Sequence, residues 1–182
     1  MTEDPDRPPT TDEAPPEPAP PASPDAWPDL AGRRDGPGHV LPVRVYYEDT
    51  DFSGIVYHAS HLRFLERGRT DCLRLLGIGH AALAAGAFGG GALAFAVRAI
   101  TIDYRAPARI DEVLEVTTRL AEIGGARIVC EQAIRRAGGT GEVIVTARVT
   151  VAILGADGRP RRLPAAVRDR LAAADTAAST AT

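Results

Sequence analysis

Tyr47, Asp49, Asp51 and His58 are gathered in one stretch, Val43–Glu66, which reads VRVYYEDTDFSGIVYHASHLRFLE. A phenol, two carboxylates and an imidazole this close together offer a base, a nucleophile and hydrogen-bond donors to a reacting group. Alternation of apolar and polar residues through Val43–Tyr47 predicts a strand, and Leu62, Leu65, Arg69, Cys72 and Leu76 recur at helical spacing. The acids therefore sit where a strand turns into a helix that begins near Tyr57–His58. The first N–H groups of that helix lack intrahelical acceptors and their dipole favours negative charge. Such an end can hold a developing oxyanion.

The elements that must position these groups follow in a simple order. Gly77 is the expected C-cap of the long helix, and His80–Gly91 reads as a short second helix followed by a mobile loop. Four strands are then predicted at Leu93–Tyr104, Glu112–Ile123, Arg127–Arg136 and Glu142–Leu154, the last alternating most cleanly. Gly124-Gly125 and Gly138–Gly141 are too short for crossovers, so the joins are hairpins and the sheet is antiparallel. With Val43–Tyr47 this makes an α+β fold: five antiparallel strands wrapped around one long helix. Gly68 falls in the buried stripe of the helix, where a Cβ would hold its backbone away from the sheet. One helix cannot cover such a sheet and its edge strand, so at least a dimer is expected.

Composition bounds the rest. A chain of 182 residues with 45% hydrophobic content supports one domain plus tails. Residues 1–38 hold eleven of the fifteen prolines and nine acids against three arginines, without strand or helix periodicity, which predicts a disordered acidic extension. The domain is expected over residues 39–164, followed by a short C-terminal helix and flexible tail over 165–182. The polar, acidic start lacks the apolar run of a signal peptide or membrane span, so a cytoplasmic protein is expected. Cys72 and Cys130 lie in apolar-patterned segments without metal-ligand spacing and read as buried thiols. All 21 basic residues are arginine, and the small positive excess left on the domain is too weak to argue for nucleic acid.

The pattern YxxxDxxGxVYHxxxxxFxE, present as Tyr47, Asp51, Gly54, Val56, Tyr57, His58, Phe64 and Glu66, resembles the hotdog-fold thioesterases of the 4-hydroxybenzoyl-CoA thioesterase family. It is most similar to the branch associated with the Tol-Pal envelope system. IDYRAPARIDEVLEV at Ile102–Val116 and GRPRRLP at Gly158–Pro164 are similar to family segments in the same order, so the likeness covers roughly Leu41–Leu163. There are departures: many relatives carry Asn-Tyr where this chain has Ser60-His61, and Gly124–Arg127 replaces a variable hairpin. The resemblance implies hydrolysis of an acyl-CoA of short to medium chain to free acid and CoA. It implies Asp51 as the essential carboxylate, base or nucleophile, and an N–H at Tyr57 or His58 that polarises the carbonyl. His58 would orient the carboxylate or donate to the carbonyl, Tyr47 would bond the carboxylate or water, and Gly54, Val56 and Tyr57 would line the substrate.

Other chemistries are less well supported by the residues. His58 and His61 share a helical face, but no third metal ligand is patterned. Ser53 lacks a GxSxG elbow, and Gly89–Gly91 lacks a dinucleotide-site context and reads as a flexible lid near a pocket mouth. No cofactor is called for. Arg105, Arg109, Arg135, Arg136, Arg159, Arg161 and Arg162 are candidates for the phosphates of CoA. Asp49 belongs to the turn and is assigned no role. A hotdog dehydratase would pair a histidine and a carboxylate from different segments, unlike this cluster. A weakly catalytic adaptor that binds acyl carrier protein would keep the pocket and lose the turnover. The expected assembly is a homodimer or homotetramer.

Overall fold

Leu114, Val116, Thr118 and Leu120 are buried along one face of a strand whose other face carries Thr117 and Arg119, and the neighbouring strands repeat this alternation. The computed structural model describes residues 32–36, 38–138 and 141–176. Strands β1 (Arg33–Asp35) and β2 (Gly38–Arg44) lead through a 3-10 turn at Tyr47–Asp49 to helix α1 (His58–Leu75) and short helix α2 (His80–Ala84). Strands β3 (Leu93–Tyr104), β4 (Val113–Ile123), β5 (Arg127–Arg136) and β6 (Val143–Gly155) follow, and helix α3 (Ala165–Thr176) closes the described chain. The sheet runs β1-β2-β4-β5-β6-β3 with every neighbouring pair antiparallel. Register shifts at Leu120/Glu122, Val97/Ala99 and Ile134/Arg135 add local twist, which helps the sheet curl around α1.

Three expectations change. The first long strand is Gly38–Arg44 rather than Val43–Tyr47, because β2 pairs with β4 only as far as Arg44↔Val113 and Tyr47 enters the 3-10 turn. The sheet has six strands rather than five. The sixth, β1, lies inside the segment expected to be a disordered extension: Arg33–Asp35 pair with β2, so the fold begins before residue 39. Most of the proline-rich stretch lies outside the described residues. An unforeseen anchor ties this start down. The buried Asp71 carboxylate of α1 accepts the Gly32 N–H at 2.8 Å, meets His39 Nε2 at 2.8 Å and pairs with Arg74 at 2.8 Å. Burial lowers the His39 pKa, against the opposing pull of the Asp71 bond.

The ends of α1 show why it stops where it does. Gly77 adopts φ +70° just past the helix; its N–H donates to the Arg74 carbonyl and the Ile78 N–H to the Leu73 carbonyl, each at 2.9 Å. This is a Schellman cap, with Ile78 and Leu73 both in the core. Phe64 and Leu65 are wholly buried, each contributing about 1.5–3 kcal/mol of transfer free energy. Between them and Cys72 the helix comes so close to the sheet that a Cβ on Gly68 would stand 2.7 Å from Val116 Cγ1 and 3.2 Å from Thr118 Oγ1. Beside it, Gln132 donates to the Leu65 carbonyl at 3.0 Å and to Thr118 at 2.8 Å, and accepts from Arg69 at 2.7 Å. The C-terminal helix, expected as a short element, packs Val167 and Leu171 into the core, and its Arg170 donates to the Gly77 carbonyl.

Gly68→Ala therefore forces the helix off the sheet. Overpacking costs about 1–3 kcal/mol against about 0.5–1 kcal/mol gained in helix propensity. The urea midpoint falls at unchanged m-value, and adding Val116→Ala restores part of the loss. An equal or higher midpoint for Gly68→Ala would show that the contact is slack.

Candidate active site

The turn that carries Asp51 is built by its own backbone. The Asp51 N–H donates to the Ile55 carbonyl and the Gly54 N–H to the Asp51 carbonyl, each at 2.9 Å, and Thr50 pairs with Val56 across the base. Gly54 makes the turn possible by taking φ +75°, a conformation that L side chains rarely adopt. A second segment clamps it from the side: Ile55 bridges to Arg109, and the Val56 N–H donates to the Ala108 carbonyl at 2.8 Å. Val56 is thereby buried, and Gly54 stays exposed.

Asp49, read as a plain turn residue, holds the helix start. It is 2% exposed; its carboxylate accepts the Tyr46 N–H at 3.0 Å, and Arg63 approaches it at 3.8 Å. Its carbonyl accepts the Tyr57 N–H at 2.9 Å. That bond separates the two expected carbonyl-polarising donors. Tyr57 N–H is already engaged, whereas His58 N–H meets no acceptor among the described residues. The same is true of Ala59 N–H. Tyr104, at the end of β3, donates its hydroxyl to the His58 carbonyl at 3.1 Å and so pins the helix start to the sheet edge.

Asp51 itself is exposed in the single chain. Its Oδ1 accepts the Ser53 hydroxyl and, at 2.8 Å, the Ser53 N–H. These two bonds, hydroxyl first, hold its pKa below the usual carboxylate value, and the nearby His58 adds to the effect. His58 is exposed, with its ring 4.3 Å from that of Tyr57, which is 46% exposed. Tyr47 is not brought to the carboxylate. It is 83% exposed, and neither the phenol-to-Asp51 bond nor a place in the core is realised. Phe52, next to Asp51, is fully exposed.

His61, weighed earlier only as a metal partner of His58, is 4% exposed while His58 lies in the open. Its ring packs edge-on to Phe64 and Tyr104, and neither nitrogen has a partner among the described residues. Burial lowers its pKa, against the opposing pull of the Tyr57 and His58 backbone carbonyls, which lie near the ring without forming well-aligned bonds. Burial likewise pushes the Cys72 thiol up to about 11 and the Cys130 thiol up to about 12.

The glycine run lies far from the Asp51 turn within one chain. Gly89–Gly91 precede Leu93, whereas the helix start meets Tyr104 at the other end of β3, roughly 35 Å away at about 3.3 Å per residue. Within one chain that loop is no lid for Asp51. Among the arginines, Arg136 is engaged by Glu112 and Glu142, and Arg161 by Asp157. Arg105 pairs with Asp103, and Arg135 donates to the Gly141 carbonyl. Arg109 is exposed and sits beside the Asp51 turn through its bridge to Ile55.

The turn can do one thing chemically: present a low-pKa carboxylate beside a helix start with a free N–H donor. Ser53→Ala removes the bonds from the hydroxyl and loosens the turn, so the proton is favoured and the Asp51 pKa rises. A carbon-13 NMR titration of the Asp51 carboxyl reads this directly, and an unchanged midpoint would refute the assignment of Ser53 as its main partner.

Comparison with known proteins converges on one group. The sequence profile of the Thioesterase-like superfamily matches residues 45–173. The chain is 42% identical over 130 residues to the acyl-CoA thioester hydrolase YbgC of Escherichia coli, covering 69% of this chain and 90% of that one. It is 46% identical over 99 residues to the acyl-CoA thioesterase YbgC of Haemophilus influenzae, covering 54% of this chain and 70% of the relative. Among solved structures it is similar to a probable thioesterase from Bartonella henselae, at 44% identity and a TM-score of 0.65 over 70% of this chain and 99% of the other.

Proposed function

The chain belongs to the Thioesterase-like superfamily, and from that premise we infer that it hydrolyses acyl-CoA thioesters of short to medium chain to the free acid and CoA, with Asp51 as the reacting carboxylate. The observation that carries the reading is the pairing of that carboxylate with an unengaged N–H at the start of α1. Asp51 removes a proton from water as the oxygen attacks the thioester carbonyl, or attacks that carbon itself. The carbonyl oxygen gathers charge against the His58 N–H, the only one of the two expected donors not already bonded. Collapse of the tetrahedral intermediate breaks the carbon–sulfur bond and CoA leaves as thiolate; where Asp51 is the nucleophile, this leaves a mixed anhydride that water then hydrolyses to the free acid and the Asp51 carboxylate. His58, whose charge acts on Asp51, orients the carboxylate or donates to the carbonyl. Gly54, Val56 and Tyr57 supply the wall of the site, and Arg109 is the arginine best placed for a CoA phosphate.

We further assign the working unit as a homodimer joined through β3. Among the described residues that strand has one sheet neighbour, β6, with its other edge unpaired, and it exposes Val97, Ile100 and Tyr104. Edges of this length and apolarity call for a partner. Two dimers meeting through the polar outer face of the sheet, where a groove of about 590 Å³ is lined by Arg119, Glu131 and Arg148, would give a homotetramer. Among the described residues no helix is long and apolar enough to cross a membrane. The reading sets the enzyme in the cytoplasm, where CoA thioesters are made, with carrier-protein thioesters as a second substrate form. Its link to the cell envelope rests on the resemblance to the Tol-Pal branch.

Asp51→Asn is nearly isosteric and cannot act as a base. Thiol release from a series of acyl-CoAs falls by about 10²–10⁴-fold with an unchanged circular dichroism spectrum; parental rates in the variant would exclude Asp51. Val97→Asp with Ile100→Asp converts the dimer to monomer in sedimentation equilibrium and abolishes turnover. A fully active monomer would remove the interface from the mechanism.

A further inference from the structure

A buried imidazole stands one helical turn behind the oxyanion donor and has nothing to bond. His61 is 4% exposed, and neither ring nitrogen meets a hydrogen-bonding group among the described residues. A neutral imidazole carries one N–H and one lone pair, so both are left idle where water does not reach them. Buried polar groups in folded proteins are nearly always satisfied, and one that is not calls for a reason. The ring is wedged under the start of α1: Tyr104 of β3 meets it edge-on at 5.6 Å and Phe64 at 6.2 Å.

Two carbonyls near the ring give it influence over the donor. Those of Tyr57 and His58 lie close without forming well-aligned bonds, and each is already engaged. The Tyr57 carbonyl accepts the Ser60 N–H at 2.8 Å, and the His58 carbonyl accepts the Tyr104 hydroxyl at 3.1 Å. The planar peptide that holds the Tyr57 carbonyl carries the His58 N–H on its opposite edge, so turning one re-aims the other. A proton added to His61 makes both ring nitrogens donors and gives the ring a charge. That charge sits in the first turn of α1, at the positive end of the helix dipole, and the His58 imidazole one turn back adds to the repulsion. From the sheet, the ionisable group packed on the ring is the Tyr104 phenol; burial raises its pKa, so it stays a neutral donor and offers no countercharge. The acceptors within reach among the described residues are the two carbonyls.

We propose that His61 is a positioning residue that makes the oxyanion donor acid-sensitive: neutral, it leaves the Tyr57–His58 peptide and the Tyr104 bond undisturbed, and protonated, it takes their carbonyls and turns the His58 N–H away from the site. This rests on the hydrolase reading above. Burial holds the folded pKa of His61 below that of an unfolded histidine, so the folded chain prefers the neutral ring. Its contribution to stability is therefore complete above the unfolded value and falls as pH drops below it, because the unfolded chain then binds the proton first. The active arrangement survives neutral pH and is given up on the acid side of the usual imidazole range.

Thiol release at saturating acyl-CoA is measured between about pH 5 and pH 8, with each protein scaled to its own rate at the upper end. The comparison is with His61→Phe, which keeps a buried ring and cannot titrate. The wild-type rate falls by about tenfold per pH unit on the acid side, while circular dichroism shows the fold intact. In His61→Phe the fall is displaced to the lower range where Asp51 takes up its proton. An acid limb that is the same in His61→Phe belongs to His58 or to the His39–Asp71 pair and overturns the proposal, as does a wild-type rate that is flat or that falls only with unfolding. A second readout needs neither turnover nor the variant. In nitrogen-15 NMR of the wild type the His58 amide shift carries a component at the midpoint of the His61 ring, and an amide that ignores that midpoint overturns the proposal. No thiol release at any pH, with that component present, ends the hydrolase reading and leaves the coupling of ring to donor standing.

Discussion

The position of everything functional depends on how closely α1 approaches the sheet. The missing Cβ at Gly68 lets the helix backbone come within van der Waals reach of Val116 and Thr118, and the Gln132 amide exploits the same closeness to donate to the Leu65 carbonyl. A buried amide bonded to a helical carbonyl tolerates little displacement, because a lost partner leaves a desolvated polar group costing about 1–3 kcal/mol. Packing and hydrogen bonding thus agree on one helix height and one rotation. The N-terminal end of α1, some ten residues upstream, inherits both.

That end is then fixed from two sides by main-chain groups. The Asp49 carbonyl takes the Tyr57 N–H from the turn side, and the Tyr104 hydroxyl takes the His58 carbonyl from the edge strand. Together they consume the groups that would otherwise fray and, among the described residues, leave the His58 N–H without an acceptor. A donor held in place before the charge appears needs no reorganisation when it does, which is where such sites derive most of their effect. Asp51 is tuned by a similar economy of parts. Its hydrogen bonds come from Ser53, two residues on, so the carboxylate is positioned by the tightest loop available.

Periodicity made most of the scaffold legible. Along β6 the alternation of Val143, Val145, Ala147, Val149 and Val151 sets one face inward, and the i, i+3, i+4 stripe of α1 marks its buried side. The cap at Gly77 was readable because it needs a conformation few residues adopt. What stayed hidden was long-range. β1 has three residues, too few to show a period, and its pairing depends on Asp71, thirty-odd residues away, reaching back to Gly32 and His39. Tyr47 was misplaced because the alternation of Val43–Tyr47 runs past the last pair that β4 can offer, Arg44↔Val113. The role of Asp49 was invisible for another reason: its backbone carbonyl does the work, and a carbonyl has no sequence signature.

The exposure of Asp51 in a single chain follows from the same topology. Among the described residues a sheet of six strands around one helix leaves β3 with a free edge, and the turn projects beside that edge with Phe52 and Tyr57 exposed around it. An open carboxylate with a lowered pKa is a weak base, since water screens it and Ser53 already stabilises its charge. A second copy laid over the turn would exclude water, which disfavours the anion, while the Ser53 bonds favour it. Apolar surface on β3 and an open carboxylate near its end therefore belong to one sheet edge that the described residues leave uncovered.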